Sequence, residues 1–113
     1  MTTNIKTAKH YSWGDGCDGW YLLQSAEMTI IQERMPAGTA EKKHRHAKSR
    51  QFFYVLSGIA IMVYDGVTTT LNPRDGLEIA PGVAHQISNR ENIPLEIIVT
   101  SQPPSHDDRV DLA

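Results

Sequence analysis

The chain has 113 residues with 40% hydrophobic and 21% charged content, proportions that fit one soluble globular domain, residues 1–113. Its net charge of −2 gives no basic field to hold nucleic acid, and no apolar run is long enough to span a membrane. The single cysteine, Cys17, excludes an intrachain disulfide framework and reads as a structural thiol. With no apolar leader at the N-terminus, it fits a reducing, cytoplasmic setting.

In chain order, residues 1–20 read as an N-terminal arm. Within it Trp13 and Trp20 flank a loop-like stretch whose Asp15 and Asp18 lack calcium-loop spacing, so no metal is assigned there. The tryptophans are expected over a barrel end or in a dimer contact. Residues 21–23 are a short apolar run, and 28–35, rich in Ile and Thr, read as a strand ending at Pro36-Ala37-Gly38. Residues 42–48 read as a polar strand with alternating faces. Residues 51–56, almost all apolar or aromatic, read as a strand buried on both sides.

Ser57-Gly58 breaks that run, and 59–64 follows. Asp65-Gly66 joins it to 67–71 as a hairpin, because both central residues of such a turn need positive φ. Residues 72–76, Asn-Pro-Arg-Asp-Gly, form another turn. Residues 77–79, 84–88 and 95–100 complete about nine strands, which predicts an all-β sandwich or closed barrel. The polar, acidic tail, 102–113, is expected to add one helical turn near 105–109, to cap the barrel, or to fray.

Of five histidines, three stand in pattern. His44 and His46 are one residue apart, so on a strand both rings leave the same face. His85 follows far downstream. His10 and His106 have no partner pattern. Neutral imidazoles suit Fe, Ni, Zn, Cu or Mn.

These residues resemble the two motifs of the cupin superfamily. The first, residues 38–58, is carried by Gly38, His44, His46, Gln51 and Gly58; the second, 74–89, by Gly82, His85 and Asn89. In the second, the family's leading Gly is Arg74 and its Pro is Ala80, with Pro81 beside it. The resemblance implies a small single-domain cupin of the cupin 2 type: an all-β double-stranded β-helix (jelly-roll) barrel. Inside it, a divalent transition metal would be bound by His44, His46, His85 and the residue at position 51. Family members of this size are often homodimers. Dioxygenases, isomerases, epimerases, storage proteins and sensor domains all belong to the superfamily.

Position 51 departs from the family pattern, with Gln in place of Glu. An amide brings no charge, so a divalent ion would keep its full charge. That favours nitrogen-seeking ions over Mg, Ca or Mn, and attracts an anionic bidentate ligand or acidifies bound water. Whether Gln51 coordinates is left open, and it cannot serve as a base.

Alternation places Phe53 and Val55 on the face of Gln51. In the next strand either Ile59, Ile61 and Val63 or Ala60, Met62 and Tyr64 face inward. Phe53, Met62 and Tyr64 are the candidate substrate-pocket residues, with plain core packing as the alternative for Phe53 and Met62. The basic residues Lys42, Lys43, Arg45, Lys48 and Arg50 form a solvated face or an anion-attracting rim. Lys43 and Arg45 alternate with the histidines and should point away from them. Glu27, Glu33, Glu41, Glu78 and Glu96 show no acid–base pairing, and no serine-hydrolase, phosphate-loop or dinucleotide motif is present. The expected function is metal-dependent action on a small chelating or anionic organic molecule, as a dioxygenase or isomerase. The alternative is a non-enzymatic small-molecule or metal-binding sensor module.

Overall fold

Alternation along residues 95–101 sets the centre of the fold. Leu95, Ile97, Val99 and Ser101 are buried, while Glu96, Ile98 and Thr100 turn to the other face. The chain is seen in a computed structural model that describes residues 1–112, and these form eleven strands and no helix. They are β1 (Lys9–Trp13), β2 (Cys17–Gln24), β3 (Thr29–Met35), β4 (His44–His46), β5 (Arg50–Ser57) and β6 (Ala60–Tyr64). After them come β7 (Val67–Leu71), β8 (Gly76–Ile79), β9 (His85–Ser88), β10 (Leu95–Gln102) and β11 (Arg109–Asp111).

Two antiparallel sheets enclose the core. The first has the order β1-β2-β3-β10-β5-β8 and the second β11-β4-β9-β6-β7. This is the double-stranded β-helix of the jelly-roll class. Fully buried Val55, Met62, Ile87, Leu95 and Ile97 fill the space between the sheets. Each such side chain contributes about 1.5–3 kcal/mol by leaving water.

Turn chemistry closes the strands where the sequence places it. Asp65 and Gly66 take φ of 49° and 74°, the left-handed pair that a tight hairpin needs. Gly58 is needed for space as well as for its φ of 82°, because a Cβ there would sit 2.6 Å from the Pro94 carbonyl oxygen.

Two expectations change and two open readings close. The arm, 1–20, contains β1 and the start of β2, a hairpin on the sheet edge. Its polar sequence hides it, since only Tyr11 and Trp13 of β1 turn inward and the rest is exposed. The strand expected over 42–48 shortens to His44–His46. Of the two faces left open in β6, Ala60 and Met62 point in. In the tail, residues 105–108 form a turn rather than a helical turn, and β11 pairs with β4. No helix among the described residues is long and apolar enough to cross a membrane.

Candidate metal centre

β4 turns His44 and His46 inward, and β9 sets His85 in register opposite His44. All three rings are buried, and their ligand atoms lie within 4.8 Å of one another. Each ring is oriented through its Nδ1. His44 Nδ1 donates to the Lys42 carbonyl at 2.7 Å, and His85 Nδ1 to the Val83 carbonyl at 3.0 Å. His46 Nδ1 donates to Asp108 Oδ1 at 2.9 Å. Acceptors on every Nδ1 place the proton there and leave each Nε2 with a lone pair. His85 Nε2 is buried without a partner. Burial lowers the His44 imidazole to about 4 and also lowers His85, so both are neutral near pH 7. Three imidazole donors around one point can hold a metal ion.

Gln51 begins the inward row of β5 and lies opposite Ser101 in register. Its Nε2 donates to Ser101 Oγ at 3.0 Å, while its Oε1 is buried without a partner. A buried, unpartnered amide oxygen is costly unless something else takes it up, and a cation beside the imidazoles would do so. The donor set therefore fits a transition ion. Asn89 has a different task, since its Nδ2 donates to the Met35 and Ile93 carbonyls at 3.0 and 2.8 Å. It ties the loop before β10 to the end of β3.

A cavity of about 310 Å³ opens onto the centre. His44, His46, Gln51 and Phe53 line it together with Tyr11, Trp13, Glu33, Glu41 and Arg109. Phe53 thus reaches the cavity and stacks edge-on to His85, with ring centroids 5.8 Å apart. Met62 and Tyr64 do not line it. Met62 is wholly buried in the apolar core, and half-buried Tyr64 packs against that core, because β6 is separated from β4 by β9. Lys43 and Arg45 are exposed and off the wall. His10 pairs with Asp18 at the surface, and His106 lines the cavity from the tail, outside the three-histidine cluster. Trp13 lines the cavity, while Trp20 packs against His10.

Five residues of this site carry no motif. Burial pushes the Glu33 carboxyl up to about 7, against the lowering effects of the Tyr11 hydrogen bond and Arg109. Burial pushes Glu41 up to about 8, and its Oε2 lies 3.8 Å from His44 Nδ1. Burial would also raise Asp108, but bonds from the Lys48 and Ser49 amides and from His46 outweigh it and hold the carboxyl low. Tyr11 and Arg109 complete the group. Glu33 alone leaves a signal in the sequence: it shares the inward row of β3 with Thr29, Ile31 and Met35, an unusual position for a charge.

The cupin domain family matches residues 31–101. The chain belongs to the cupin family. Over 88 residues this cupin is 30% identical to an uncharacterised protein of Methanocaldococcus jannaschii, covering 77% of this chain and 70% of that one. Among solved structures it is similar to an RmlC-like cupin from Shewanella frigidimarina. That match has a TM-score of 0.84 and 22% identity, covering 94% of this chain and 93% of the other. It is also similar to a sugar phosphate isomerase of the cupin superfamily from Silicibacter pomeroyi. The TM-score there is 0.81 with 19% identity, over 92% of this chain and 76% of the other. At these identities the two structures show the shared fold.

Proposed function

We propose that this cupin holds one divalent transition ion through His44, His46, His85 and Gln51, and turns over a small chelating organic anion. The observation that carries this reading is the cluster of three buried imidazoles, their ligand atoms within 4.8 Å of one another, beside a cavity lined also by Gln51, whose amide oxygen is unpartnered, and by Arg109. When bound, the ion supplies Lewis acidity to the oxygens of the ligand.

The chain's own residues do the rest. Arg109 already gives its Nε to Asp111 at 2.7 Å, which leaves its Nη groups to receive a carboxylate or phosphate. Phe53 and Trp13 supply apolar wall, and a cavity of about 310 Å³ limits the ligand to a compact molecule. Glu33 and Glu41 put titratable carboxyls on the wall, which a plain binding pocket has no use for. One of the similar structures is a sugar phosphate isomerase, a further reason to test isomerisation as well as oxygen-dependent turnover.

Elemental analysis of protein purified without added metal tests the first half, with about one transition ion per chain expected. Oxygen uptake and NMR of a panel of hydroxy- and keto-acids with each ion test the second. Tight binding of the panel without turnover would assign the protein to the sensor class.

A further inference from the structure

The wall of the cavity opposite β4 carries a group of residues that ion binding does not use. Tyr11 of β1 pairs with Gly19 of β2, and Gly19 pairs with Glu33 of β3. The three therefore stand side by side across the sheet. Tyr11 crosses the middle strand only because position 19 has no side chain. A Cβ there would collide with the Tyr11 ring and lie 2.5 Å from its Oη. The phenol so delivered donates to Glu33 Oε2 at 3.2 Å. Both side chains line the cavity shared with His44, His46 and Gln51.

We propose that Glu33 is the proton-transferring residue of this site and Tyr11 its positioning residue, so that the reaction is isomerisation of a compact α-hydroxy carbonyl anion. The inference rests on the reading of the cavity as a metal centre for chelating anions. In the step, the Glu33 carboxylate takes a proton from the hydroxyl-bearing carbon. The C–H pair becomes a C=C bond and the carbonyl π pair moves to oxygen. Glu33 then returns the proton to the former carbonyl carbon, the hydroxyl proton passes to the neighbouring oxygen, and the carbonyl re-forms one carbon along. No oxidant or reductant is consumed.

The surroundings suit that work. Burial keeps the Glu33 carboxyl far above the usual range, and Tyr11 and Arg109 pull it partly back. Glu41, Cys17 and Arg109 are the other titratable or charged groups coupled to it, from the segment before β4, from β2 and from β11. A base poised near neutrality is the efficient one at physiological pH. Tyr11, raised well above the ordinary phenol range by burial and by Glu33, keeps its proton and can only donate.

Measurements on the full chain test this. In protein labelled with ¹³C at glutamate carboxyls, the Glu33 signal, assigned by its loss in Glu33→Gln, should titrate near neutrality. It should move upward in Tyr11→Phe and in Gly19→Ala, which lose the phenol's bond. A wild-type midpoint in the ordinary carboxylate range, about 4, would overturn the inference whatever the ion does. Zn(II) calorimetry should give Glu33→Gln an affinity within about threefold of wild type, because Glu33 is not a ligand. Failure of wild type to bind Zn(II) would sink the metal reading, and the carboxyl titration would still judge the pair.

With hydroxypyruvate as the probe, the Zn-loaded wild type should wash solvent deuterium into the hydroxymethyl group. Glu33→Gln should slow that exchange by about 100-fold or more with the probe's affinity little changed, and Tyr11→Phe by about tenfold. Equal exchange in wild type and Glu33→Gln, or no exchange by a wild type that binds the probe, would refute the assignment.

Discussion

Asp108 Oδ1 receives the Nδ1 proton of His46 at 2.9 Å across 62 positions of sequence. The same carboxylate receives the Lys48 and Ser49 amides through Oδ2 at 2.8 and 2.9 Å. One side chain from the tail thus orients a ring in β4 and closes the turn that follows it.

Removing that carboxylate should loosen the ion. Asp108→Ala leaves His46 Nδ1 and two amides without their acceptor, and partners of this kind are worth about 10- to 100-fold in metal affinity. Zn(II) calorimetry on Asp108→Ala should show a loss in that range. An unchanged affinity would mean that backbone packing alone orients His46.

Gln51→Glu should change which ions bind. A carboxylate at this position adds negative charge beside three neutral imidazoles and favours harder ions. Competition titrations should show Mn(II) gaining on Zn(II) in the variant. Unaltered selectivity would place position 51 outside the coordination sphere.

Arg74 takes a φ of 72°, a conformation that costs a side-chain-bearing residue about 1 kcal/mol. The cupin motif has glycine here. Arg74→Gly should raise the melting temperature by several degrees, since about 1 kcal/mol moves a domain of this size by roughly 4–8 °C. Differential scanning calorimetry reads the shift directly.

Metal-free protein should lose stability above pH 6.5. Glu33 and Glu41 are raised in the folded state, so their contribution is complete below the free carboxyl's value of 4.5 and falls away as pH climbs through about 7 and about 8. His44, lowered from 6.5 to about 4, and His85, also lowered, act oppositely: they cost stability only as pH falls below 6.5. Between 4.5 and 6.5 the two trends oppose each other. The melting temperature should therefore hold across that interval, decline towards pH 8, and decline less in Glu33→Gln.

The barrel and the imidazoles were legible because their determinants are local. The spacing of His44 and His46 fixes a shared face on any strand, and Asp65-Gly66 specifies its turn without help from the rest of the chain. Beyond Phe53 and the inward position of Glu33, the wall of the cavity was not legible, because its members meet through tertiary pairing. Tyr11 matters only once β1 lies beside β2 and Gly19 lets it cross. Asp108 and Arg109 read as part of a solvated acidic tail until β11 docks on β4. Met62 and Tyr64 mislead for a related reason: an inward residue faces either the apolar core or the cavity, and sheet order decides which.

The three imidazoles are not equally open to adjustment. His44 and His85 each donate a hydrogen bond to a main-chain carbonyl two residues earlier, an acceptor that no substitution can delete. His46 alone hydrogen-bonds its Nδ1 to a side chain. Selection or engineering that seeks to retune the electron-donating strength of this centre, while sparing its ligands, is therefore funnelled to position 108.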